Sequence, residues 1–239
     1  MNDHHILSSF DRELEGIQAH IMKMGGLVEE AILDAAKSLR DRDDELANKV
    51  RQADKAIDAL EILVNEEAAK VIALRAPAAV DLRVALSVMK ISGNLERIGD
   101  YAKNMAKRTT VLVQMTPVEG ARNALGRMAR EVQIMLKDAL DAYITRDVDL
   151  AYEILERDQE IDQMYNALFR EFLTFMMEDP RYITPCMHLH FIAKNTERMG
   201  DHVTAIAEQV IYLVNGEMPE EPRPKGDVTT RDIAFSEPN

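Results

Sequence analysis

The sequence predicts an all-α protein of two tandem, pseudo-symmetric, antiparallel three-helix bundles, with six long helices in all. The first observation is a repeat, because Asn94–Asp100 (NLERIGD) is written again as Asn195–Asp201 (NTERMGD), 101 residues later, with five of seven positions identical. The second is the spacing of the prolines between segments of helical periodicity. The third is a composition rich in the strong helix formers Ala, Leu, Met, Glu and Lys. A repeat of this length indicates a duplicated structural unit.

The duplication extends upstream of the repeated motif. Asp54, Ile57 and Asp58 recur as Asp158, Ile161 and Asp162 with an offset of 104 residues. Between the two matched sets the offset falls to 101, so the second unit has three fewer residues. Because insertions and deletions collect in turns, we expect this difference near Pro77 and Pro180.

Proline spacing and apolar periodicity divide the chain into segments. No proline occurs before Pro77, and further prolines at 117, 180 and 185 separate later segments. The predicted helices are 7–40, 44–75, 79–113, a fourth opened by a capping box at 116–119 and ending near 145, a fifth from 147 to about 178, and a sixth from Thr184-Pro185 to Asn215. We therefore expect a first unit over 1–115, a second over 116–215 and a disordered tail over 216–239, which is rich in proline and charge.

Composition limits the classes of function. The chain has 239 residues, 46% of them hydrophobic, and a net charge of −13. That charge argues against nucleic acid and anionic membrane as direct partners. The one cysteine, Cys186, excludes an internal disulfide and a thiolate metal cluster. No apolar run approaches the length of about 18 residues that a membrane span needs, so we expect a soluble cytoplasmic protein.

Acidic side chains recur at helical spacing in the first half. Glu96 and Asp100 lie four residues apart on the third predicted helix, and Asp54 and Asp58 lie four apart on the second. Residues four apart share a helix face. In an antiparallel hairpin that turns at Pro77, Asp58 is level with Glu96 and Asp54 is level with Asp100.

The second half repeats this arrangement. For a hairpin that turns just before Pro180, Asp162 is level with Glu197 and Asp158 is level with Asp201. Four carboxylates placed close together repel one another unless protons or cations intervene. Oxygen ligands suit hard cations such as Mg, Mn, Ca or oxidised Fe. The sequence thus predicts a metal-binding face in each unit.

Two alternatives to a metal site remain open. Arg97 and Arg198 adjoin the acidic residues and could neutralise part of the charge, or the faces could be ordinary solvated surface. The sequence contains no Glu-x-x-His pair, which disfavours a ferritin-like oxidase. It also shows no phosphate-binding loop, nucleophile elbow or Cys/His catalytic set, so we expect a protein that is not an enzyme.

The doubled motif, NLERIGD and NTERMGDH about a hundred residues apart in an acidic helical chain, closely resembles the PhoU family over residues 5–215. The resemblance implies two three-helix bundles, a cytoplasmic homodimer without enzymatic activity, and repression of phosphate uptake and of the phosphate-starvation response. It implies a Pst-type phosphate transporter and a PhoR-type sensor kinase as partners, with the membrane contacted only through them. It also implies divalent or ferric ions (Fe, Mn, Mg or Zn) held by Asp54, Asp58, Glu96, Asp100, Asp158, Asp162, Glu197 and Asp201.

The two motifs are not identical in their surroundings. Asn104 follows the first motif where the second has Ala205, and Tyr101 stands where the second has His202, a possible nitrogen ligand. We therefore expect the two sites to differ in affinity or in metal. The rival functions are a metal-dependent carboxylate-bundle enzyme, a metal store, and a phosphotransfer bundle with His20 or His188 as acceptor.

Overall fold

The computed structural model describes the backbone of residues 2–219 and the side chains of residues 12–219. Its helices are α1 (Asn2–Asp41), α2 (Asp44–Arg75), α3 (Ala79–Leu112), α4 (Ala121–Thr145), α5 (Val148–Glu178) and α6 (Ile183–Asn215), with a single 3-10 turn at Pro180–Tyr182. Over the described residues the structure has six long helices and no strand, so the all-α prediction is confirmed. The predicted disordered tail falls, from residue 220 onward, outside the described residues.

The same local signal starts the second helix of each half. Asp43 and Asp147 are N-caps whose side chains accept hydrogen bonds from the backbone N–H groups of Leu46 and Leu150. Each cap satisfies a donor that the first helical turn leaves unpaired. The residues before these caps are arginines in the left-handed region, with φ of 57° at Arg42 and 58° at Arg146. The duplication is therefore visible in the backbone of the turns.

Helices α1, α2 and α3 pack on one another, and so do α4, α5 and α6. The two groups are joined where α3 packs on α6 and α1 packs on α4. One continuous core runs through both groups, and its fully buried side chains include Ile57, Ile98, Met105, Val132 and Met199. None of the described helices combines the length and apolar character that a membrane span requires.

The predicted start of the fourth helix is wrong. Residues 116–119 form an irregular connection, and α4 begins at Ala121 after Gly120, whose φ is 79°. The Arg42 guanidinium donates to the carbonyl oxygens of Val113 at 2.6 Å and Met115 at 3.0 Å, and Val118 is buried. These tertiary contacts hold the segment out of a helix despite its capping sequence.

The turn between α2 and α3 offers a direct test of backbone strain. Ala76, an exposed residue, ends α2 with a φ of 43°, a conformation that costs residues with a Cβ more than glycine. We expect Ala76→Gly to raise the free energy of unfolding by about 0.5–1 kcal/mol, after the greater freedom of glycine in the unfolded chain is discounted. Urea denaturation measures this. Ala69→Gly is the control, because Ala69 is an exposed residue in the interior of α2, where glycine is less favourable than alanine by about 1 kcal/mol; a gain at both positions would contradict the explanation.

Candidate functional site

The first carboxylate face lies between α2 and α3. Asp54 is buried, with 4% of its surface exposed, and its Oδ2 lies 2.5 Å from the Lys103 ammonium. The same ammonium lies 3.0 Å from Asp100 Oδ1. Asp58 and Glu96 complete the face, since Asp58 interacts electrostatically with both Asp54 and Glu96. The structure thus brings together the four carboxylates that the hairpin register predicts.

The second carboxylate face lies between α5 and α6 and is more deeply buried. Asp158, Asp162 and Glu197 are 2%, 4% and 7% exposed. The Lys194 ammonium lies 2.9 Å from Glu197 Oε1. Asp162 and Asp201 both interact electrostatically with Glu197. Three members of the predicted second set, Asp162, Glu197 and Asp201, are therefore assembled on one face, and Asp158 lies against Gly200 of α6.

Burial makes ionisation costly at both faces. Removal from water raises the pKa of Asp54, Glu96 and Glu197, and neighbouring carboxylates raise it further. Hydrogen bonds to Asp54 and Asp100 raise the pKa of Lys103, which is therefore held as a cation. Within the described residues, Asp54 Oδ1 and Glu197 Oε2 are buried without a hydrogen-bond partner. An unpaired buried oxygen is costly, so each face has an acceptor that a cation could satisfy.

The two lysines occupy unrelated positions in the repeat. Lys103 follows Asp100 by three residues, and its counterpart in the second unit is Thr204. Lys194 precedes Glu197 by three residues, and its counterpart in the first unit is Gly93. Sequence reasoning missed both lysines and considered the adjacent arginines instead. The i,i+3 spacing of acid and lysine was the signal that could have identified them.

The donor sets suit a hard cation. Each face offers carboxylate oxygens only, the ligand type that Mg²⁺, Mn²⁺, Ca²⁺ and Fe³⁺ prefer. Among residues 12–219, no three His, Cys, Asp or Glu side chains converge closely enough to hold a metal ion. At the first face the ammonium of Lys103 lies between Asp54 and Asp100. A bound metal ion would have to replace that contact.

Two motif glycines permit close approach of the helices. A Cβ on Gly99 would lie 3.0 Å from Ile57 Cδ1 and 3.7 Å from Asp54 Oδ1. A Cβ on Gly200 would lie 2.9 Å from Asp158 Oδ1. Glycine in a helix interior is less favourable than alanine by about 1 kcal/mol. Here it lets the aspartate of the neighbouring helix lie against the backbone of the motif.

The two copies of the motif cross each other where α3 packs on α6. His202 Nδ1 lies 2.8 Å from Asn94 Oδ1, and the Arg198 guanidinium donates to the Tyr101 hydroxyl at 3.4 Å. The rings of Tyr101 and His202 have centroids 5.7 Å apart. Tyr101 and His202, which distinguish the two copies, therefore meet at this crossing. The Arg198 guanidinium contacts Tyr101 at this crossing, and the ion pair of Glu197 is formed with Lys194 instead.

The histidines of the phosphotransfer alternative both have protein neighbours. His188 Nδ1 lies 3.4 Å from the Arg108 guanidinium, and burial together with that positive charge lowers the pKa of His188. His20 Nε2 lies 3.5 Å from Glu67 Oε2.

The buried Glu197 predicts a dependence of stability on pH. Because folding raises its pKa above the ordinary value of 4.5, ionisation of Glu197 removes stability as the pH rises through the pKa of the folded state. In EDTA, Glu197→Gln should melt at a higher temperature than the parent protein at pH 7. This advantage should disappear at about pH 4, where the Glu197 side chain of the parent is protonated in both the folded and the unfolded protein.

Differential scanning fluorimetry across this pH range measures the effect. Glu153→Gln, at an exposed position of α5, is the control and should change little at any pH. A Glu197→Gln variant that is less stable at pH 7 would show that the Lys194 contact outweighs the cost of burial.

The fold and the site define a class: a duplicated helical-bundle protein with a carboxylate face in each half. Comparison with known proteins agrees with this description, because the model of the PhoU domain matches twice, over residues 21–109 and 125–210. The chain belongs to the PhoU family, as its doubled motif predicts.

Relatives named as phosphate-specific transport system accessory protein PhoU homologs include one from Caulobacter vibrioides, 44% identical over 95% of this chain and 99% of its own length. Another, from Zymomonas mobilis, is 47% identical over 92% of this chain and 93% of its own length.

Solved structures of the family share the fold. The crystal structure of PhoU from Pseudomonas aeruginosa superposes with a TM-score of 0.83 at 40% identity, covering 87% of this chain and all of that one. The crystal structure of the phosphate transport system regulatory protein PhoU from Streptococcus pneumoniae gives 0.82 at 29% identity, covering 89% of this chain and all of that one.

Proposed function

We propose that this protein is a cytoplasmic, non-enzymatic regulator that restrains phosphate uptake and the phosphate-starvation response when phosphate is abundant. The observation that carries the proposal is membership of the PhoU family over nearly the whole chain, with relatives named as accessory proteins of a phosphate transport system. A rigid scaffold of long helices suits such a role, because exposed helix faces can pack against helices of partner proteins.

The proposed partners are a Pst-type phosphate transporter and a PhoR-type sensor kinase. In this proposal the protein is a homodimer, and each of its chains is divided into units 1–115 and 116–215. It reaches the inner face of the membrane through these partners, since a net charge of −13 disfavours direct binding to anionic lipid. Contact with the kinase holds it in the state that removes phosphoryl groups from its response regulator.

Metal ions are part of the proposal. Asp54, Asp58, Glu96 and Asp100 would hold ions at the first face, and the second face would use Asp158, Asp162, Glu197 and Asp201. The support is the buried, unpaired oxygens of Asp54 and Glu197 together with an all-carboxylate donor set. A bound cation would neutralise like charges, and would thereby fix α2 against α3 and α5 against α6.

Deletion of the gene in its host tests the regulatory role. We expect phosphate-starvation genes to be expressed in high-phosphate medium, with increased phosphate uptake, and the unaltered gene should restore repression. A variant with Glu96, Asp100, Glu197 and Asp201 changed together to Gln or Asn then tests whether the carboxylate faces contribute. A deletion strain that keeps normal repression would refute the regulatory proposal.

A further inference from the structure

A groove between α1 and α4 carries a concentration of positive charge in an acidic protein. The groove has a volume of about 460 Å³, and its basic lining residues are Lys37 and Arg40 from α1 and Arg127 and Arg130 from α4. No carboxylate lines it. The chain as a whole has 42 acidic residues against 29 Lys and Arg, so a patch with four bases and no acid departs from the surrounding surface.

Most of this charge is unpaired. Arg40 pairs with Asp41 at 2.8 Å, at the end of α1. The hydrogen bond from Arg40 lowers the pKa of Asp41, and the positive charges of Lys37 and Arg122 lower it further. For Lys37, Arg127 and Arg130, no carboxylate of residues 12–219 lies within ion-pairing distance. Like charges that converge without counter-ions repel one another, and an anionic ligand would relieve that repulsion.

The shape of the groove follows from small residues on the facing helices. Ala36, a buried residue, lines the groove, and a Cβ on Gly126 would meet nothing within 4 Å. The lining spans residues 33–40 of α1 and 123–130 of α4, which is about 10 Å of helix on each side. Arginine binds phosphate through two parallel hydrogen bonds. A ligand with several phosphoryl groups in a row fits this length and charge better than a single phosphate.

We propose that the groove between α1 and α4 binds an oligophosphate group, either as an inorganic oligophosphate or as the phosphate chain of a nucleotide. Arg127 and Arg130 hold the phosphoryl oxygens from α4, and Lys37 does so from α1. Leu33, a half-exposed residue that also lines the groove, offers an apolar contact that a nucleoside could use. The lining residues belong to neither carboxylate face, so this inference stands apart from the proposed metal sites.

Isothermal titration in EDTA tests the proposal, because without free divalent ions the carboxylate faces cannot bind phosphate through a metal. The ligands are inorganic tripolyphosphate, ATP and orthophosphate. We expect tripolyphosphate to bind, with an affinity that falls as the salt concentration is raised. Orthophosphate should bind at least about tenfold more weakly, because it contacts fewer of the basic side chains. Tighter binding of ATP than of tripolyphosphate would assign the site to nucleotides, and the reverse would assign it to inorganic chains.

Two variants locate the binding. Lys37→Gln, Arg127→Gln and Arg130→Gln together should weaken tripolyphosphate binding by about tenfold or more. Gly126→Leu keeps every charge but fills the groove, and should also weaken binding. The control changes three exposed lysines elsewhere, Lys23, Lys49 and Lys107, to Gln with the same loss of charge. No binding by the parent protein, equal loss in the control, or undiminished binding by Gly126→Leu would each overturn the proposal.

Discussion

Addition of Mn²⁺ to EDTA-stripped protein is expected to raise its melting temperature by about 5–10 °C. A ligand that binds only the folded state at about a hundred times its dissociation constant adds about 2.7 kcal/mol. For a chain of this size, 1 kcal/mol corresponds to about 2–4 °C. The physical reason is that a cation at each face neutralises buried carboxylates whose raised pKa values show that ionisation is costly. Scanning calorimetry over a series of Mn²⁺, Mg²⁺ and Fe³⁺ concentrations measures the shift.

A quadruple variant assigns the shift to the carboxylate faces. Glu96→Gln, Asp100→Asn, Glu197→Gln and Asp201→Asn together should abolish the shift and lower the metal content. The control replaces four exposed glutamates elsewhere, Glu45, Glu66, Glu153 and Glu156, by Gln. A parent protein that purifies without metal and melts at the same temperature in every ion would show that the faces are ordinary acidic surface.

Lys103→Met is expected to destabilise the metal-free protein by about 1–3 kcal/mol. Removing one partner of a buried ion pair costs about 3–5 kcal/mol, and this figure is reduced here because the Lys103 side chain is 39% exposed. The buried carboxylate of Asp54 would lose its counter-ion, and its Oδ1 has no hydrogen-bond partner among the described residues to compensate. Urea denaturation in EDTA measures the loss.

The same variant should bind Mn²⁺ more tightly than the parent, because the ion no longer has to displace an ammonium from Asp54 and Asp100. Lys107→Met, an exposed position one turn further along α3, is the control. Adding Asp54→Asn to Lys103→Met should recover most of the stability in EDTA, since the uncompensated charge is removed. A double variant as unstable as Lys103→Met would show that packing of the lysine stem, and not its charge, is what stabilises the hairpin.

Much of the fold could be predicted because its signals are local and duplicated. The start of α5 next to Asp147 and the end of α6 at Asn215, before Gly216, follow from short-range rules. The residues of the capping box at Thr116–Glu119 obey the same rules, but the helix start that they predict is wrong, because α4 begins at Ala121. Arg42, more than seventy residues away, binds the carbonyl groups just before it, and no local pattern reports such a contact.

The candidate site was predicted in outline and not in its internal contacts. The hairpin register was enough to place Asp54 near Asp100, because a turn fixes which residues are level. The register could not show that Lys103 reaches between these two carboxylates, since that depends on the rotamer of a long side chain. The basic groove was also beyond prediction. It requires α1 and α4 to be neighbours, and helices far apart in the sequence show that only in the folded chain.

The crossing of α3 on α6 has a consequence for the two halves as separate molecules. Because the same segment of each half meets its copy there, the contact has the isologous character of a homodimer interface, although it lies within one chain. Tyr101 opposite His202 breaks that identity: a first half that paired with itself would set Tyr101 against its own copy, without the His202–Asn94 contact. Covalent fusion keeps the unlike halves together at high effective concentration. The linker between α3 and α4 thus favours the mixed pairing over self-pairing of either half.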